Sequence, residues 1–149
     1  MTYKYEELAA QMEAVLEKEW PLVSNLSNAA SVLYNGMENI NWAGFYLMEE
    51  GVLWLGPFGG KPACVRIEMG KGVCGTAAAR DEVQLVKDVH LFPGHIACDS
   101  ASMSEIVIPL HKEGKVVGVL DIDSPVLARF DENDRKALEK IAQIIEGVL

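Results

Sequence analysis

Three cysteines, three carboxylates and one aromatic pair are the side chains here whose types and spacing could do chemistry. Cys98 lies in "HIACDSASMSEIVIPL", a small, polar run that also holds Asp99 and Ser100 and follows Pro93 and Gly94. A loop thiol of this kind is a candidate for reactivity, which requires access and thiolate character. Cys64 follows the flexible "GGKPA", and Cys74 follows Gly72 near the start of a short helix, where the helix dipole favours a thiolate. A small packed residue accounts for Cys74 equally well. An odd cysteine count without a secretory leader argues against a disulfide framework and leaves inert thiols, a metal site or redox chemistry. Zinc would draw on the three cysteines with His90 or His95, but no C-x2-C or H-x3-H pair supports it. His90, His95 and His111 are otherwise expected to be loop or surface groups.

Asp121 and Asp123 stand two apart on one strand and so point the same way. Whether Glu105 joins them depends on the turn of the hairpin "EIVIPLHKEGKVVGVLDID". A two-residue Glu113-Gly114 turn pairs Lys112 with Lys115 and puts Glu105 on the opposite face. A three-residue Lys112-Glu113-Gly114 loop pairs His111 with Lys115 and sets Glu105 opposite Asp121, on the face that Asp123 shares. Glutamate is a poor first residue for a primed turn, so the three-residue loop is expected. Three carboxylates would then meet at one end of two strands. Close like charges raise one another's pKa, so one of them can hold a proton near neutrality and donate to a ligand oxygen, while ionised neighbours bind an amine. Taken alone, "DIDSP" is a strand end turning away at Ser124-Pro125; Glu105 opposite and Cys98 upstream tip the reading toward a site.

The elements that must position these groups follow from periodicity. Leu8, Met12, Val15 and Leu16 give residues 4 to 19 the spacing of an amphipathic helix. Pro21 interrupts it, a second helix runs through Leu22, Leu26, Ala29, Ala30 and Leu33, and Gly36 sits where a C-cap would. "INWAGFYLMEEGVLWLGPF" reads as a hairpin in which Trp42, Gly44 and Tyr46 share a face, with the glycine leaving room for a ligand. A short strand near Ala63 to Ile67, a brief helix in "GKGVCGTAAAR" and a strand in "VQLVKDV" come next. "DENDRKALEKIAQIIEGVL" closes the chain as a helix with carboxylates in its first turn. Helices at both ends and antiparallel hairpins between them make an α+β domain spanning 1–149, with the terminal helices on one sheet face and loops and a pocket on the other.

Composition narrows the function classes. The chain has 149 residues, half of them apolar, enough for one compact core. No charged-then-apolar leader or apolar run of about 18 residues appears, so no membrane partner and a cytoplasmic location are expected. A net charge of −9 and the lack of a basic stripe argue against nucleic acid.

"NWAGFYL", "LWLGPFGGKPACVRIEMGKGVCGTAA" and "HIACDSASMSEIVIPL", with "VVGVLDIDSP" after it, resemble the free methionine-(R)-sulfoxide reductases. These are stand-alone GAF-type domains that reduce the R-sulfoxide of free methionine. The resemblance runs from about Asn41 to Pro125. It implies a GAF-like α+β fold with a central antiparallel sheet of about six strands. It also implies Cys98 as nucleophile, Cys64 as resolving cysteine, Cys74 as auxiliary thiol, and a pocket of Trp42, Tyr46, Glu105, Asp121 and Asp123. A protonated carboxylic acid, Glu105 by first choice, would activate the sulfoxide oxygen. Cys98 would be left as a sulfenic acid, Cys64 would condense with it, and thioredoxin would reduce the disulfide. No metal or organic cofactor is called for, and a homodimer is the default for a small enzyme of this kind. The rival readings are a GAF-type sensing module that binds a small molecule without turnover, and a thiol peroxidase. A sensor has no use for three cysteines beside a carboxylate cluster, and a peroxidase none for an amine site or an aromatic methyl wall.

Overall fold

The computed structural model describes residues 2–95 and 100–149. Two helices, α1 (Thr2–Val15) and α2 (Leu22–Gly36), lead into the hairpin β1 (Trp42–Glu49) and β2 (Val52–Gly60). β3 (Arg66–Glu68), α3 (Gly72–Arg80) and β4 (Gln84–Val86) follow, then the hairpin β5 (Ser104–Lys112) and β6 (Lys115–Ser124), and α4 (Glu132–Glu146). The six strands form one antiparallel sheet in the order β3-β2-β1-β6-β5-β4. This is the α+β arrangement that the hairpins and terminal helices predict.

Strand alternation divides the core in two. Ala43 and Phe45 of β1, Ile106, Ile108 and Leu110 of β5, and Leu120 and Ile122 of β6 face α1, α2 and α4, where they meet Leu8, Met12, Leu26, Leu33, Leu138 and Ile141. The opposite face carries Trp42, Tyr46, Val107 and Val119 against Val73, Cys74, Ala77 and Ala78 of α3. One face is therefore sealed by three helices, and the other is covered by one short helix and loops.

α1 stops at Val15, short of the expected residue 19, and the Asn25 side chain ties down the link that follows. Its amide donates to the Glu17 carbonyl at 2.8 Å and its oxygen accepts from the Glu17 N–H at 3.1 Å. Gly36 is the last residue of α2 rather than its cap, a role that falls to Met37. Its small size answers to α1: a Cβ there would lie 2.3 Å from Leu8 Cδ2. α4 begins with a capping box, in which the Asp131 side chain and Asp134 N–H, and the Asp134 side chain and Asp131 N–H, bond reciprocally.

The β5–β6 turn differs from expectation. Lys112 pairs with Lys115 across a two-residue turn, in which Glu113 and Gly114 adopt φ of 54° and 75°. By itself that turn would send Glu105 to the wrong face. However, His111 pairs with Val116 and Leu110 with Gly118, so Val117 is an extra residue bulged out of β6. Beyond the bulge Glu105 faces Asp123, and Val107 faces Asp121. Glu105 thus shares a face with both aspartates, as expected, but through a tight turn plus a bulge. The β1–β2 hairpin uses the same primed turn, with Glu50 and Gly51 at φ of 52° and 77°.

Candidate active site

Register alone assembles most of the site. Trp42 of β1 pairs with Asp123 of β6, which pairs with Glu105 of β5, so three adjacent strands present an aromatic ring and two carboxylates in one row. One step along, Gly44 pairs with Asp121, and a further step brings Tyr46 opposite Val119. Trp42, Tyr46, Glu105, Asp121 and Asp123 point away from the terminal helices, into a cavity that α3 closes with Gly72, Val73 and Cys74. Pro62, Ala63, Ile67, Lys71, His95 and Ser102 complete its border.

The aromatic wall is held rigidly. Trp42 and Tyr46 stack with centroids 6.0 Å apart, and Phe58 stacks on Trp42 at 5.3 Å. The Trp42 indole donates to the Lys61 carbonyl at 3.1 Å, and the Tyr46 hydroxyl donates to the Cys64 carbonyl at 2.8 Å. Tyr46 therefore anchors the backbone of the Cys64 loop to the cavity floor. Burial, followed by the charge of Asp121, pushes its phenol upward, so it remains a donor. Gly44 does not open space for a ligand, contrary to expectation. A Cβ there would lie 2.3 Å from Phe58 Cβ and 2.9 Å from the Trp42 ring, so the glycine lets Phe58 pack against the indole.

The acidic cluster is buried. Glu105 and Asp121 are 7% and 5% exposed. Burial, and after it the charges of Asp121 and Asp123, hold Glu105 well above the usual carboxyl range, which favours its protonated form. Among the described residues, Asp121 keeps one buried oxygen, Oδ1, without a hydrogen-bond partner. Such an atom in a cavity wall suits a ligand donor, because an unmet buried acceptor is costly.

Cys74 sits in the first turn of α3 at 5% exposure and is a free thiol. The expectation that the helix dipole favours a thiolate there fails. Burial and the charges of Asp121, Glu105 and Asp123 push the thiol well up, so the packed, protonated reading prevails. Cys64 is disulfide-bonded and packs, half-buried, against the cluster that forms the cavity floor. Cys98 and Asp99 lie outside the described residues. Of the zinc ligands that the sequence offers, Cys64 is disulfide-bonded and His90 pairs with Asp88 at the surface, whereas Cys74 and His95 both border the cavity.

Spacing did not reveal two contributors. His95 is a loop residue that borders the cavity, and burial and then His90 hold it below the usual histidine range, while Asp121 opposes them. Lys71 and the start of α3 form another wall, and α3 begins without a side-chain cap. The signal was present in "MGKGV", a helix entry with no serine, threonine, asparagine or aspartate at the capping position. His111 is a surface group as expected, but it has partners, Asp81 and Glu146.

The GAF domain family model matches residues 9–149. The chain is 54% identical to Protein YtsP of Bacillus subtilis over 97% of its length and 90% of that protein's. It is 50% identical to the free methionine-R-sulfoxide reductase of Escherichia coli, covering 97% and 88% of the two chains. The structure of fRMsr of Staphylococcus aureus in complex with its substrate superposes with a TM-score of 0.92 at 51% identity, over 97% of this chain and 95% of that one. With this similarity along nearly the whole chain, and with the fold and the buried pocket behind it, the protein belongs to the GAF domain family and, within it, to the free methionine-R-sulfoxide reductases.

Proposed function

We propose that this protein reduces free methionine-R-sulfoxide to methionine by thiol chemistry, with Cys98 as nucleophile and Cys64 as resolving cysteine. The observation that carries the reading is the buried carboxyl cluster beside the Trp42–Tyr46 wall, where burial raises the Glu105 pKa and Asp121 keeps an oxygen with no hydrogen-bond partner among the described residues. A sulfoxide sulfur becomes electrophilic when its oxygen is protonated, and Glu105 is the acid at hand. Asp121 and Asp123 receive the substrate ammonium, and the uncapped start of α3 with Lys71 suits its carboxylate. The S-methyl group rests on the aromatic wall, which fixes the epimer that can turn its oxygen to Glu105.

The Cys98 thiolate attacks the sulfur, and the sulfoxide oxygen passes to Cys98 as methionine leaves, producing a sulfenic acid. The Cys64 thiol displaces that oxygen as water and forms the disulfide. An external dithiol, thioredoxin by resemblance, then returns both cysteines to thiols by exchange. The overall reaction consumes two electrons and two protons and releases methionine and water. The disulfide-bonded state of Cys64 supports its resolving role. A peptide-bound residue lacks the free ammonium and would leave the Asp121 oxygen buried without a partner, which explains selectivity for the free amino acid.

The test offers free R, free S and peptide-bound sulfoxides with dithiothreitol and measures the methionine formed. Turnover of the free R form alone is expected. Cys98→Ser abolishes it, whereas Cys64→Ser still releases one methionine per enzyme and fails only in recycling. Full turnover by Cys98→Ser would remove Cys98 as nucleophile.

A further inference from the structure

The sulfoxide chemistry proposed above routes no step through Cys74, the auxiliary thiol of the resemblance. Yet its Sγ, a Glu105 oxygen and an Asp121 oxygen all lie within 4.8 Å of one another, contributed by α3, β5 and β6. All three residues are at least nine-tenths buried, and Asp121 Oδ1 has no hydrogen-bond partner among the described residues. One sulfur and two carboxylate oxygens on rigid elements, facing a cavity, make a donor set of mixed softness. It suits a borderline-soft divalent ion that accepts both atoms, with water in the remaining position. Calcium and magnesium, which take oxygen ligands, gain nothing from the sulfur.

We propose that Cys74, Glu105 and Asp121 form a zinc site within the pocket, occupied when substrate is absent and competitive with it. Zinc enters by displacing the Cys74 and Glu105 protons to solvent, and it draws on the same Asp121 oxygen as the substrate ammonium, so each excludes the other. The ion inhibits without taking part in the reaction. The competition rests on the substrate reading given above, whereas the metal site itself does not.

The test uses full-length protein with Cys64→Ser and Cys98→Ser, which leaves Cys74 as the sole thiol and removes disulfide formation. Cobalt(II) serves as a spectroscopic stand-in, and zinc affinity is read by competition with a chromophoric chelator. A sulfur-to-cobalt charge-transfer band with the visible absorption of a tetrahedral ion is expected. Adding Cys74→Ser removes the band, and either Cys74→Ser or Asp121→Asn weakens zinc by at least about tenfold. Thermal melts of each variant verify folding, and Asp121→Asn decides the matter if Cys74→Ser is unfolded. An octahedral spectrum without the charge-transfer band, or zinc affinity unchanged by these substitutions, overturns the proposal. Free methionine-R-sulfoxide is expected to displace the ion. A Cys74-dependent band that ignores the sulfoxide would keep the metal site and overturn the placing of the substrate amine at Asp121.

Discussion

Glu105 and Asp121 are both buried acids in one cavity, and their surroundings suit them to different work. Burial and two neighbouring carboxylates oppose the ionisation of Glu105 and raise its pKa. Asp121 offers an oxygen with no hydrogen-bond partner among the described residues. Glu105→Gln keeps a hydrogen-bond donor but cannot give up a proton, so kcat is expected to fall about 10²–10⁴-fold with little change in KM. Asp121→Asn is expected to act mainly on KM, because it weakens the hold on the ammonium. Steady-state kinetics separates the two, and the opposite pattern would exchange the roles. The raised pKa also sets the sign of the pH dependence. The donor must be protonated, so the chemical step slows as pH climbs through the Glu105 value, and Glu105→Gln loses that limb.

At the scale of elements, two hairpins decide what the pocket contains. Both turn on Glu-Gly, with glutamate at positive φ where asparagine or aspartate is preferred. Expecting a longer loop at Glu113 was sound on propensity, but cross-strand pairing across β1, β6 and β5 outweighs the local strain. Glu113→Asn is therefore expected to raise stability by about 0.5–1 kcal/mol, seen as a higher denaturant midpoint at unchanged slope. A lower midpoint would argue that this turn is not the primed type. Helix existence and the faces of β1 were legible because apolar periodicity is a local property: Phe45 goes to one core and Tyr46 to the other. The Val117 bulge was not legible. Nothing about a valine in "KVVGVL" marks it as the extra residue; the mismatch between the turn and the buried faces does.

For the molecule as a whole, His111 links three elements that are distant in sequence. Its ring bonds Asp81, the C-cap of α3, at 2.6 Å, and Glu146, in the last turn of α4, at 2.8 Å, from its own position near the end of β5. Burial pulls the imidazole down, but hydrogen bonds and charge from the two carboxylates outweigh it and raise its pKa. A group that binds its proton more tightly when folded stabilises fully below its unfolded value, about pH 6.5, and that contribution is lost as pH rises through the folded value. The melting temperature is expected to decline across that range, and His111→Gln should flatten the decline. Parallel profiles for the two proteins would show that the clamp contributes nothing. The groups are partly exposed, so the effect is a modest one.

The linear chain by itself determined the kinds of chemistry on offer, the identity of the helices and hairpins, and the pairing of Trp42 with Tyr46 on one face. These depend on residue type and on spacing along a single element. Tertiary structure decided whether Glu105 joins the aspartates, what fills the space at Gly44, and that His95 and the start of α3 border the cavity. Each of these depends on a register, a bulge or a contact between remote segments. Cys74 shows the difference most plainly. Local position near a helix start suggests a thiolate, but three carboxyl groups from other strands and the loss of water keep it a thiol. Electrostatic fields and desolvation belong to the folded arrangement, not to any stretch of chain, so the pocket's protonation could be settled only in three dimensions.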